Sequence, residues 1–90
     1  MQFDDDVHNY YETLVSDYIA QINLYDKYES DFIADVCCVA LNHLPPKYIR
    51  YEVDMAFFLP PEERLKMQDS VVVAIKDAIK TVTEWSEKEK

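Results

Sequence analysis

The sequence contains no glycine among its 90 residues. Loops that cradle the phosphates of a nucleotide need glycine, because backbone amides must approach the ligand closely and adopt positive φ angles. The absence of glycine therefore excludes the P-loop and the glycine-rich dinucleotide fingerprint. Enzymes and switches that are built on those two motifs are excluded with them.

Cysteine and histidine are scarce as well. The only cysteines, Cys37 and Cys38, are neighbours, which is not the C-x-x-C spacing of common zinc and redox sites, and we expect reduced, packed thiols. The only histidines, His8 and His43, lie on different predicted helices, without the pattern of a nucleophile and its base. We therefore predict no catalytic residue, no metal site, no cofactor and no enzymatic activity.

Basic residues are few. Nine lysines and arginines stand against eighteen acids, a net charge of -9, which repels nucleic acid and anionic membranes. No stretch reaches the ~20 apolar residues of a membrane span, and the acidic N-terminus is unlike a secretory signal. We expect a cytoplasmic protein with no membrane association and no direct DNA binding.

Apolar residues, in contrast, make up 49% of the chain, which indicates one folded domain over residues 1–90, with frayed ends at 1–5 and 87–90. Spacings of three and four predict a first helix, at whose start Asp4, Asp5 and Asp6 could cap free amides. The apolar residues of this helix are Val7, Tyr10, Tyr11, Leu14, Val15, Tyr18, Ile19 and Ile22.

Two more helices follow after a polar connection at residues 23–29. Ser30 or Asp31 can cap the second helix, and Pro45 and Pro46 stop it. The third should run from about residue 61 to about residue 87. Its heptad seam and the apolar turn at residues 71–75 predict a homodimer, because such a turn needs cover on both sides. The second stripe is Phe32, Ile33, Val36, Cys37, Ala40, Leu41 and Leu44, and the seam is Leu65, Gln68, Val72, Ile75, Ile79 and Val82.

Between the second and third helices, weak alternation of polar and apolar residues at 47–59 predicts a short strand or extended arm. Two basic and two aromatic residues interleave here, so we predict a ligand-binding site for an anion or nucleotide. Its residues are Lys47, Tyr48, Arg50 and Tyr51. The alternative is that the tyrosines pack against the helices and the bases pair with acids such as Glu52.

Residues 34–48 carry an Ala-Leu-Asn-x-Leu-Pro-Pro-x-Tyr run after Asp35, which closely resembles the hallmark of the late competence development protein ComFB family, in its proteobacterial branch. The resemblance implies a small, dimeric, mainly helical protein, and cyanobacterial members are cyclic di-GMP receptors. We therefore expect a non-enzymatic signalling protein, a cyclic dinucleotide receptor or adaptor. The alternative is a module that docks a larger regulator without a small ligand. Some members have a cysteine cluster between the first two helices, where this chain has Tyr25-Asp26-Lys27-Tyr28, so no zinc site is implied.

Overall fold

A computed structural model describes residues 7–49 and 60–88 of the chain. These residues form a mainly helical fold with three helices and a small two-stranded sheet, as the sequence predicts for the helices. The elements, in chain order, are β1 (His8–Asn9), α1 (Tyr10–Gln21), a 3-10 turn (Leu24–Asp26), α2 (Ser30–Asn42), β2 (Tyr48–Ile49) and α3 (Pro61–Lys88).

Helix α1 begins later than the acidic triplet suggests. Its N-cap is Asn9, whose side chain accepts a hydrogen bond from the backbone N–H of Tyr11 at 3.2 Å. The two residues before Tyr10 are extended, because they pair with β2. The prediction that the helix starts at the triplet is therefore wrong, and residues 4–6 themselves lie outside the described part of the chain.

The connection between α1 and α2 turns at Asn23, which has a φ of 55°. Asparagine is among the few residues other than glycine that adopt this left-handed conformation at low cost. A chain without glycine thus makes its sharp turn with asparagine, and the buried Leu24 then anchors the 3-10 turn to the core.

Helix α2 starts at Ser30 and ends before the double proline, but its cap differs from the prediction. The N-cap is Glu29, and its side chain makes no capping hydrogen bond. Ser30 and Asp31 are instead the first helical residues. The predicted cap by either of them is therefore wrong, although the helix start is only one residue away.

Helix α3 packs against both α1 and α2, and the buried side chains form one hydrophobic cluster. Ile75 and Val82 of the predicted seam are fully covered within a single chain, whereas Leu65 is 61% exposed. Val72 and Ile79 lie between these extremes. Part of the seam thus belongs to the chain's own core, and the homodimer stays a prediction.

Within the described residues, no helix combines the length and the apolar character required to cross a bilayer.

Candidate functional site

The double proline leads directly into a short antiparallel ribbon. Strand β2 pairs with β1, with His8 opposite Ile49 and Asn9 opposite Tyr48. The backbone N–H of Tyr10 donates to the carbonyl of Lys47 at 2.7 Å, and the N–H of Lys47 donates to Oδ1 of Asn9 at 3.0 Å. Both backbone polar groups of Lys47 are therefore held, and the same Asn9 oxygen also caps α1.

The two described residues of the predicted site both point away from the core. Tyr48 is 68% exposed and Lys47 is exposed, whereas the next residue of the ribbon, Ile49, is buried. Within residues 7–49 and 60–88, no carboxylate lies at ion-pair distance from Lys47. For Tyr48, the alternative of packing against the helices is therefore wrong. Arg50 and Tyr51 lie outside the described residues, as does Glu52.

The ring of Tyr48 differs from that of another tyrosine at the protein surface. Tyr28 stacks on Phe32 with ring centroids 4.3 Å apart and planes 12° apart, so one of its faces is covered. Among the described aromatic residues, none stacks on Tyr48. An exposed phenol ring on a fixed backbone, with an exposed lysine as the preceding residue, has the features needed to stack on a flat base and to meet an anion.

Two polar groups, one on α1 and one on α3, are buried in a way that the sequence analysis does not predict. Tyr11, in the first turn of α1, is buried, and burial together with the nearby carboxylate of Glu63 raises its pKa. Arg64, next to Glu63, has an Nε that is buried with no hydrogen-bond partner among the described residues, which is uncommon. Burial of these polar groups depends on how the helices pack, so no local sequence pattern indicates it.

A concave feature lies between α2 and α3, and we call it the α2–α3 groove. Its volume is ≈ 660 Å³. Two aspartates lie along it, so it is not the positive pocket that a site for phosphates requires. The groove is lined by His43, Leu44, Pro45, Asp69, Ser70, Val73, Ala74, Asp77 and Thr81.

Two smaller cavities are acidic too. One of ≈ 300 Å³ between α1 and α3 contains Asp17 and Asp69, and one of ≈ 430 Å³ near the start of α2 contains Asp31 and Asp35 beside Lys27. Of the basic and aromatic cluster that the sequence predicts, Lys47 and Tyr48 lie at the surface of the ribbon and line none of these three cavities.

The cysteines of α2 are both free thiols. Cys38 is exposed, whereas Cys37 is half-buried, and burial together with the neighbouring Cys38 raises the pKa of Cys37. In the part of the chain that the structure describes, no three histidine, cysteine or acidic side chains are grouped so that they could hold a metal ion.

Comparison with known proteins supports the resemblance that the hallmark run indicates. The family profile described as late competence development protein ComFB matches residues 8–85, from the start of β1 nearly to the end of α3. No curated protein and no solved structure gives a significant match. Because the profile covers almost the whole chain, this protein belongs to the late competence development protein ComFB family.

Proposed function

We propose that this protein is a cytoplasmic, non-enzymatic signalling receptor or adaptor that binds a cyclic dinucleotide, cyclic di-GMP first. We call the proposed surface the ribbon site and define it as Lys47, Tyr48, Arg50 and Tyr51. The observation that carries the proposal is the exposed ring of Tyr48 on a ribbon whose backbone is fixed by Asn9.

A cyclic dinucleotide has flat bases and two phosphates, and the ribbon site offers groups for both. Stacking of a base on an aromatic side chain contributes about 1–3 kcal/mol. The ammonium of Lys47 has no carboxylate partner among the described residues, so it would not have to break an ion pair to meet a phosphate. Arg50, three residues after Lys47 in the sequence, adds a planar guanidinium group, which can bind a phosphate through two hydrogen bonds.

The fixed backbone matters for affinity. Ordering a loop on binding costs free energy, and a surface that is held before the ligand arrives avoids that cost. Lys47 is held through its N–H and its carbonyl. Two consecutive prolines precede it, and their φ angles are restricted by the ring.

A homodimer would bring two ribbon sites into one particle. The α3 flank formed by Leu65, Val72 and Ile79 is exposed or half-covered in a single chain, and it is our candidate for the contact. Analytical ultracentrifugation should give twice the chain mass of 10.6 kDa for the wild type. It should give the single-chain mass for Leu65→Glu. Val73→Glu, at a similarly exposed position of the same helix, is the matched control and should stay dimeric.

The test of ligand binding is isothermal titration with cyclic di-GMP and, separately, cyclic di-AMP at physiological salt. Tyr48→Ala should weaken binding by about 5- to 150-fold, the loss of one stacking contact. Tyr25→Ala, which removes an equally exposed ring elsewhere, should leave it unchanged. Lys47→Ala and Arg50→Ala should weaken binding, whereas Lys76→Ala, which removes the same charge from α3, should not.

The second candidate function is a protein-interaction module without a small ligand. The acidic α2–α3 groove favours it, because the groove is a concavity of ≈ 660 Å³ that neither Lys47 nor Tyr48 lines. If isothermal titration detects no binding of either cyclic dinucleotide, the receptor proposal is overturned and this module is favoured.

A further inference from the structure

We infer that the α2–α3 groove binds a basic amphipathic segment of a partner protein, one in which an apolar side chain is flanked by lysine or arginine. The inference rests on the adaptor role proposed above but not on the dinucleotide. The groove and the ribbon site share no residue, so each can be tested without the other.

The floor of the groove is apolar. Leu44 and Ala74 are buried at its base, and Val73 is 59% exposed beside them. One exposed valine is ordinary on a protein surface, but this one opens into a concavity of ≈ 660 Å³. That volume is in the range of ligand pockets, roughly 300–1,000 Å³. The groove can therefore take up an apolar side chain of a partner.

The rim of the groove is negative. Asp69 and Asp77 lie four residues before and four residues after Val73, which places all three along one side of α3. Neither aspartate is at ion-pair distance from a lysine or arginine within residues 7–49 and 60–88. Lysine or arginine flanking an apolar side chain would meet these two carboxylates.

The opposite wall adds negative potential of a second kind. It is the C-terminal end of α2, where His43 is the C-cap and Leu44 and Pro45 follow. The last carbonyls of a helix carry a partial negative charge, which favours a cation nearby. The N–H groups of His43 and Leu44 donate to the carbonyls of Ala40 and Leu41, whereas Pro45 and Pro46 have no N–H to donate to the carbonyls that remain. Both walls thus favour a cationic partner.

A second copy of this chain fits the groove poorly. In a symmetric dimer the same patch faces itself. A two-fold axis at Val73 would bring Asp69 of one copy against Asp77 of the other, and like charges in contact oppose association. The net charge of -9 attracts a basic partner.

The test uses fluorescence anisotropy with a labelled model peptide of leucine and lysine at the spacing of an amphipathic helix. A peptide of equal length with glutamate in place of lysine is its control. The lysine peptide should bind the wild type, and the double variant Asp69→Asn/Asp77→Asn should weaken binding at least about tenfold, or about 1.4 kcal/mol. The matched variant Asp31→Asn/Asp35→Asn removes two exposed charges outside the groove and should change binding less than about threefold.

Val73→Lys should abolish binding while the helical circular dichroism is retained, because this side chain is mostly exposed. Equal weakening by both double variants would mean attraction by overall charge and would overturn the inference. So would equal binding of the glutamate peptide, no binding of the lysine peptide, or a dimer that Val73→Lys dissociates, since a second copy would then occupy the groove. Tyr48→Ala should leave peptide binding intact, so failure of the ribbon site and failure of the groove give different results.

Discussion

The side chain of Asn9 connects the start of α1 to the residue that opens the ribbon site. Its Oδ1 accepts hydrogen bonds from the backbone N–H groups of Tyr11 and Lys47, at 3.2 and 3.0 Å. Replacing Asn9 by alanine removes this one acceptor and with it both hydrogen bonds. Loss of the cap costs about 1 kcal/mol. Loss of the second bond, which is exposed to solvent, costs about 0.5 kcal/mol.

The expected sum for Asn9→Ala is about 1.5 kcal/mol, which lowers the Tm of a domain of this size by about 6–12 °C. The assay is thermal unfolding followed by circular dichroism at 222 nm, repeated with urea to obtain the free energy of unfolding. Asn9→Asp is the matched variant, because a carboxylate oxygen can accept both bonds and also lies at the positive end of the α1 dipole. It should be at least as stable as the wild type.

The same pair of variants tests the link to ligand binding. If Asn9 holds the ribbon site in place, Asn9→Ala should weaken dinucleotide binding and Asn9→Asp should not, because only the alanine variant leaves the backbone N–H of Lys47 without its acceptor. A Tm for Asn9→Ala equal to that of the wild type would refute the reasoning. An equal loss in Asn9→Asp would refute it too, because both bonds are still possible in that variant.

Three further predictions concern the core, the pH dependence of stability and the thiols. Ile75→Ala should cost about 2–5 kcal/mol in urea unfolding because Ile75 is fully buried, whereas Val73→Ala, two residues away and mostly exposed, should change stability by less than about 0.5 kcal/mol. Burial raises the pKa of Tyr11 above its ordinary value of 10.0. The neutral phenol therefore contributes its full share of folding stability below pH 10, and that share is lost as the pH rises through the folded-state pKa. The stability of Tyr11→Phe should therefore fall less than that of the wild type between about pH 9 and 11, and an equal fall would contradict this. Iodoacetamide should modify the exposed Cys38 before Cys37, whose pKa is raised by burial, as peptide mass spectrometry of each serine variant would check.

The helices were predictable because local sequence dictates them. An apolar stripe at spacings of three and four buries one face of a helix wherever that helix packs, and two prolines stop a helix in any context. The connection at Asn23 and the end of α2 follow from the same local rules. The family hallmark is also a run of consecutive residues, so it can be recognised without knowledge of the fold.

The first strand could not be predicted, because its partner is about forty residues away. His8 and Asn9 have no strand pattern of their own, and they become β1 only when Tyr48 and Ile49 lie beside them. The acidic triplet was the better local candidate for a helix cap, but pairing with β2 keeps the chain extended up to Asn9. Long-range hydrogen bonds thus outweighed local capping preference.

Some residues that look alike in the sequence differ in burial. Ile75 and Leu65 both belong to the apolar seam, yet one is fully buried and the other is mostly exposed, because α1 and α2 cover only part of α3. Likewise, Asp69 and Asp77 read as ordinary solvated acids on a helix. Only the end of α2, lying against that stretch of α3, turns them into the rim of a groove.

The sequence by itself therefore determined the helices, the family and the basic and aromatic residues of the ribbon site. Each depends on the identity and spacing of nearby residues. The tertiary structure alone decided that Asn9 holds Lys47, that the ring of Tyr48 is exposed while Ile49 is buried, and that an acidic groove with an apolar floor exists. These features depend on which distant segments meet, and one chain's local preferences do not specify that.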